Sequence, residues 1–362
     1  MTSTSLMEQI CSSTNLNQAL RRVKKNKGCA GVDKLDIDAT ISMLRQASNG
    51  QELRQSLLDG SYQPQPVLGV EIPKSNGGVR QLGIPTVLDR VVQQAITSVL
   101  SDIYEPKFSD SSYGFRPNRS AHHALAAASR YIREGRGYVV DIDLAKFFDE
   151  VNHSRLLWLL SRRIGDSRLL QLIHRYLKSG MLEGGLLSQR VKGTPQGGPL
   201  SPLLSNIVLD ELDKELERRG HDFVRYADDL IVLVGSKASS ERVLHSLVNY
   251  IEGDLGLKVN QEKSRLVKNW ELNFLGHGIS SDGSLLLSKS SEHRLRTKLK
   301  KLSRRNAGKS FGEIISKINR LLQGWLHYFK YAKMKSKLEK LRSWLRHRLR
   351  CYRLKQCKRA LG

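Results

Sequence analysis

This 362-residue sequence contains no paired cysteines. Its four cysteines, Cys11, Cys29, Cys351 and Cys357, are scattered without a C-x-x-C pair, so neither a zinc site nor a disulfide framework is encoded, and the compartment reads as reducing. No run approaches the roughly 18 apolar residues of a membrane span. Residues 1–17 are polar and lack the apolar centre of a signal peptide, which leads us to expect a cytoplasmic chain with no membrane partner. The Walker spacing of a P-loop is missing as well. Acid is in short supply: 35 Asp+Glu stand against 60 Lys+Arg, a net charge of +25. That excess is far more than solubility requires and points to a polyanionic partner, with nucleic acid ahead of an anionic membrane surface. The length allows two or three domains and a substantial core.

The few acids are placed where they matter. Asp228 and Asp229 lie between one β-type apolar run (Phe223, Val224, Tyr226) and another over 230–234, the pattern of two strands joined by a short acidic tip. Adjacent aspartates repel each other and are poor strand formers, so holding them together requires compensating charge. A divalent cation supplies it. Hard Mg²⁺ is usually held by one or two carboxylates plus substrate phosphates, which suggests phosphoryl or nucleotidyl transfer. Taken alone, the pair reads first as an ordinary acidic turn, because Asp is favoured in turns anyway. A second acidic strand shifts the balance. In Tyr138-Val-Val-Asp-Ile-Asp-Leu144, alternation puts Asp141 and Asp143 on one face, opposite Val140 and Ile142. One of them completes a site with Asp228 if the two strands are neighbours. Ala145-Lys-Phe-Phe-Asp149 follows, where a bulky ring can sense a nucleotide's 2′-hydroxyl, although at least one of Phe147 and Phe148 must be core.

Other stretches carry weaker signals. Strands over 67–72 and 79–84 flank Ser75-Asn-Gly-Gly78, a strong hairpin pattern with Lys74 and Arg80 on either side. Those cations either grip a polyphosphate, Arg80 with a bidentate fork, or are solvated strand ends. Helical periodicity marks 16–27, a segment ending at Gly60, then 89–100, 122–132, 153–160, 166–178, 203–217 and 240–251. The loop Tyr113-Gly-Phe-Arg-Pro-Asn-Arg119 either stacks bases and touches phosphate or is simply packed. Gly193-Thr-Pro-Gln-Gly-Gly-Pro-Leu-Ser-Pro202 is a turn ahead of a helix, where a nucleotide or template backbone can approach closely and the helix dipole favours its charge. Lys263 either approaches a leaving pyrophosphate or is a lone surface cation. Phe274-Leu-Gly-His-Gly-Ile279 reads as a tight strand turn beside a primer. From Ser291 onward, 23 Lys+Arg face three Glu, so +20 of the +25 resides in a helical tail. Its aromatics, Trp325, Tyr328, Phe329, Tyr331, Trp344 and Tyr352, either pack the helices or stack bases, and the tryptophans fall on apolar stripes that favour packing.

In this order the motifs resemble the reverse transcriptases, or maturases, encoded by group II introns. The resemblance runs through Asn26-Lys-Gly, Ile72-Pro-Lys, Arg80-Gln-Leu-Gly-Ile-Pro, Tyr113-Gly-Phe-Arg-Pro, Asp141 to Asp149, Thr194 to Leu203, Tyr226-Ala-Asp-Asp229, Leu257 to Ser264 and Phe274-Leu-Gly, nearly the whole chain. It implies an α+β right-hand polymerase, with fingers and palm built from an antiparallel sheet and helices, followed by an α-helical thumb or maturase domain. The expected boundaries are a helical N-terminal extension over 1–65, fingers and palm over 66–285, and the basic thumb over 286–362. Residue by residue, the resemblance implies that Asp143, Asp228 and Asp229 hold two Mg²⁺ ions. It makes Lys74 and Arg80 the grip on the triphosphate, Phe148 the sugar gate, Gln196 and Gly197 the loop beneath the nucleotide, and Lys263 the palm lysine. The implied partners are group II intron RNA or another RNA template, a DNA primer or target, and dNTPs, in a ribonucleoprotein; a homodimer stays open. The sequence departs from longer relatives in lacking a Cys-pair, His-Asn endonuclease module, so self-sufficient cleavage of target DNA is not expected. The intact Tyr-Ala-Asp-Asp and Gly-Gly-Pro-Leu-Ser-Pro motifs argue for retained polymerase activity. Two alternatives remain: a splicing cofactor whose polymerase is secondary or lost, and an enzyme recruited to phage defence or a CRISPR locus.

Overall fold

The computed structural model describes residues 5–73, 77–188, 191–305 and 308–360. Lys74, at the predicted hairpin tip, lies outside the described residues. In chain order the described strands are β1 (Val67–Pro73), β2 (Val79–Ile84), β3 (Tyr138–Asp143), β4 (Met181–Glu183), β5 (Leu186–Ser188), β6 (Asp222–Tyr226), β7 (Asp229–Val234), β8 (Arg265–Lys268), β9 (His277–Ile279) and β10 (Leu285–Leu287).

Strands β6, β7, β3 and β8, in that order, form an all-antiparallel palm sheet. Alternation sorts its residues onto two faces. Val140, Ile142, Phe223, Leu230, Val232 and Val234 enter the main core with helices Val87–Tyr104, Ser201–Arg218 and Lys237–Asn249. Val139, Val224, Ile231, Leu233 and Val267 enter a second core beneath helix Ala121–Arg133. Because β7 is covered on both faces, residues 230–234 form an unbroken apolar run instead of an alternating one.

A second sheet, ordered β2-β1-β4-β5, makes the fingers. The antiparallel β1–β2 hairpin follows the sequence pattern, whereas β4 joins β1 in parallel and β5 folds back on β4 around Gly184 and Gly185. That second hairpin is not legible in the sequence: its strands have three residues each, carry no β-branched side chain, and owe their order to the remote β1.

Helices Lys289–Leu302, Phe311–Phe329 and Lys335–Ala360 share a separate core of Leu295, Leu299, Ile314, Ile318, Leu341, Leu345 and Tyr352. Trp325 and Trp344 pack against it, so these tryptophans do structural duty. Ser310 and Glu313 open the middle helix with a reciprocal capping box. The unit is tied to the palm by Tyr328, whose hydroxyl donates to the Leu275 carbonyl at 2.9 Å, and by buried His277, whose ring centroid is 4.7 Å from that of Phe329. No helix among the described residues is long and apolar enough to cross a membrane.

Candidate active site

Strand register builds the acidic end of the palm. Asp143, the last residue of β3, pairs across with Asp229, the first of β7, while Asp141 lies opposite Ile231. The sheet face that is apolar at Val139, Ile231 and Leu233 therefore ends in carboxylates. Ala227 and Asp228 turn the chain between β6 and β7, with Ala227 at a φ of 59°, the left-handed conformation that tight hairpins use. Asp229 keeps contact with solvent. Even so, desolvation by the surrounding protein, and then the charges of Asp228, Asp143 and Asp141, push its carboxyl up to about 6, with Lys263 pulling the other way.

Lys263 is no lone surface cation. Its ammonium lies 2.9 Å from Asp143 Oδ2, to which the Asn260 side-chain amide also donates at 3.3 Å. The Asn260 backbone N–H donates to the Asp143 carbonyl at 2.8 Å, and the Asp143 N–H donates to Ser264 Oγ at 3.1 Å. The loop after the palm helix is thus laced to the end of β3. Asp141 turns instead to Arg265, at 3.3 Å, and desolvation raises its carboxyl.

Six of the residues singled out from the sequence, Arg80, Asp143, Phe148, Gln196, Asp228 and Lys263, line one cleft of about 850 Å³. Asp229 joins them through its pairing with Asp143. Phe147 is buried and Phe148 half-buried, their rings edge to face at 5.4 Å; both pack against the main core and both line the cleft, Phe147 the deeper of the two. Gln196 accepts from the Gly83 N–H of β2 at 2.8 Å. Gly197, at φ 135°, lies against the Gly83 carbonyl with no room for a Cβ. In the 113–119 loop, Arg116 is buried and spends its guanidinium on Glu105 and on the carbonyls of Ser109 and Ser112. That arginine is packed and unavailable to phosphate.

Residues 72–279 match the family described as reverse transcriptase (RNA-dependent DNA polymerase), and residues 293–361 match the group II intron, maturase-specific domain. The chain belongs to the group II intron reverse transcriptases. It is similar to protein YkfC of Escherichia coli (strain K12), 37% identical over 303 residues that cover 72% of this chain and 79% of that one. It is also similar to the group II intron-encoded protein LtrA of Lactococcus lactis subsp. cremoris, 33% identical over 313 residues covering 68% of this chain and 52% of LtrA. The chain thus spans about half the length of LtrA. Among solved structures, a chain of a partial Cas6-RT-Cas1–Cas2 complex aligns with a TM-score of 0.43 and 26% identity over 70% of this chain and 43% of that one.

Behind the Asp228 turn of this reverse transcriptase lies a buried group that the sequence reading passed over. Arg225 of β6 and Asp213 of helix Ser201–Arg218 are both inaccessible to solvent. Arg225 Nε donates to Asp213 Oδ1 at 2.7 Å, and Nη2 donates both to Asp213 Oδ2 and, at 2.8 Å, to Ser112 Oγ. Nη1 donates to Asn206 Oδ1 at 3.0 Å and to the Ala227 carbonyl at 2.9 Å. The Asn206 amide also donates to the Gly114 carbonyl at 2.9 Å, and Gly114 backs directly onto the Ala227 main chain. A signal did exist: an arginine within an apolar strand, matched by an aspartate beside Leu212 on an apolar helix stripe.

Proposed function

We propose that this chain is an RNA-directed DNA polymerase that extends a DNA primer along an RNA template by two-metal nucleotidyl transfer, and that it binds an intron RNA and assists its splicing. The observation that carries the reading is the direct opposition of Asp143 and Asp229, with Asp228 beside them, at a cleft that Arg80, Phe148, Gln196 and Lys263 also line. On this reading residues 1–65 form an N-terminal extension, 66–285 the fingers and palm, and 286–362 the thumb.

Among the described residues no three His, Cys, Asp or Glu side chains converge closely enough to enclose an ion as they stand. The donor chemistry nevertheless suits Mg²⁺: hard carboxylate oxygens, mutually repelling, with one of them already holding the Lys263 ammonium as counter-charge. Asp143, Asp228 and Asp229 would hold two ions, whose chemistry is to activate the primer 3′-hydroxyl and neutralise charge on the triphosphate and departing pyrophosphate. The protein's own groups do the rest. Arg80 offers a planar fork to the triphosphate. Lys263 stands within the cleft to meet the charge of the leaving pyrophosphate. Phe148 presents a ring edge where a 2′-hydroxyl would intrude, and the loop at Gln196 and Gly197 lets main chain approach the nucleotide. The thumb's cationic helices suit a nucleic-acid backbone.

Primer extension on an RNA template with Mg²⁺ and dNTPs, comparing wild type with Asp228→Ala, tests the reading. Full-length cDNA from wild type and none from the variant is expected; equal product from the variant overturns it. The splicing role draws on the maturase-specific match over 293–361 and the +20 tail. It predicts intron splicing that survives Asp228→Ala and is lost when residues 293–361 are removed.

A further inference from the structure

We infer that Arg225 is a positioning residue for the acidic turn: by fixing the Ala227 carbonyl it sets the attitude of Asp228 and Asp229, and thereby their affinity for divalent cations. The inference rests on the nucleotidyl-transfer reading above. Arg225 is 1% exposed, so it touches neither substrate nor solvent. A guanidinium has five N–H donors, and here all five are engaged, by Asp213, Asn206, Ser112 and Ala227. A buried ion pair adds little net stability over an apolar pair of the same shape. This one does something an apolar pair cannot do, because one of its donors reaches out of the pair to the turn that carries the carboxylates.

The turn is held from two sides. Arg225 grips the Ala227 carbonyl, while the Gly114 main chain closes against the Ala227 nitrogen and the Tyr226 carbonyl carbon, leaving no room for a side chain between them. Asn206 joins the two sides, since its oxygen accepts from Arg225 and its amide donates to Gly114. Ala227 is a non-glycine residue in the left-handed region, which L residues rarely adopt without such support. Two carboxylates locked in register have already met their mutual repulsion during folding, so a cation binds them without a further ordering cost. Lysine offers three donors from one point and cannot hold Asp213 and the Ala227 carbonyl together.

The test uses the full chain, with Mn²⁺ as the probe, counting free ion by electron paramagnetic resonance in wild type, Arg225→Lys, Asn206→Asp and Asp228→Ala. In parallel, primer extension is followed across Mg²⁺ concentrations. Arg225→Lys, shown folded by circular dichroism, is expected to bind Mn²⁺ about tenfold more weakly. Its extension rate should recover at high Mg²⁺, and its KM for dNTP at saturating metal should stay within about twofold of wild type, because Arg225 lies outside the nucleotide's reach. Asn206→Asp keeps the acceptor for Arg225 and loses the donor to Gly114, so it should shift in the same direction by less. It carries the test if Arg225→Lys does not fold. Folded variants that bind Mn²⁺ as wild type does, or that lose rate at every metal concentration, overturn the inference. Wild type that binds Mn²⁺ no better than Asp228→Ala removes the metal site itself, and both readings with it.

Discussion

Gly114→Ala loads the same turn sterically, and the structure sets the size of the effect. A Cβ built on Gly114 falls 2.9 Å from the Tyr226 carbonyl carbon, 3.0 Å from Ala227 Cα, and closer still to the Ala227 nitrogen. Comfortable contacts between such atoms are roughly 3.5–4.0 Å, so something must retreat by about 1 Å. All three obstructing atoms are main chain, so no flexible side chain can swing aside. Gly114 itself does not have a positive φ, so alanine there is strained only by its neighbours. Overpacking of this kind costs about 1–3 kcal/mol of stability, and a displacement of about 1 Å at a reacting centre costs about 10²-fold in rate. Denaturant unfolding and single-turnover extension on an RNA template, at saturating dNTP and Mg²⁺, measure the two quantities separately. Gly165→Ala, with nothing within 4 Å of its Cβ, is the control and should leave both unchanged. If Gly114→Ala unfolds like wild type and extends within about threefold of its rate, the turn is not held by this contact and the reasoning fails.

Three further outcomes follow from the same site and from the thumb. The Asp229 carboxyl is held at about 6, above its unfolded value near 3.9, so ionising it opposes folding, and the metal-free chain loses stability on its account as pH rises from about 4 through 6. Mg²⁺ should accordingly raise the melting temperature more at pH 8 than at pH 5; equal shifts at both would refute this. Phe148→Ala removes the half-buried ring and should raise ribonucleotide incorporation relative to deoxynucleotide by about 10²-fold, while an unchanged ratio would show that the ring does not gate the sugar. Arg342, Arg346, Arg350 and Arg353 are exposed along helix Lys335–Ala360. Changing all four to Gln should flatten the log–log salt dependence of RNA binding by up to about 3, at about 0.7 per lost phosphate contact, with no change in melting temperature. An unaltered slope would place the RNA elsewhere.

Local pattern carried a large part of this molecule. The β1–β2 hairpin, the shared face of Asp141 and Asp143, and the basic helical tail with its packed tryptophans were all legible, because each depends on residues close together in the chain. What local pattern does not contain is partnership between distant segments. Nothing near Lys263 distinguishes it from any exposed lysine; its meaning comes from Asp143, across a loop and a strand. Arg225 shares a strand face with the core residue Phe223, so alternation turns it inward, but only Asp213 on a remote helix explains how a charge can lie there. The β4–β5 hairpin exists because β1 offers an edge to it. Which of Phe147 and Phe148 lies deeper was set by packing, a property of the assembled core.

The contact between Gly83 and Gly197 joins two parts of the cleft that could otherwise move apart. Gly83 lies on the strand that carries Arg80, and Gly197 on the loop that carries Gln196. They meet backbone to backbone, with the Gly83 N–H bonded to the Gln196 carbonyl and no side chain between them to take up slack. A swing of the fingers hairpin therefore drags the loop along with it. On the proposed function, the arginine above an incoming nucleotide and the floor below it behave as the two arms of one lever. On that same reading, a nucleotide that fits poorly against the floor would be held less well from above, because the Gly83–Gly197 contact ties the two together.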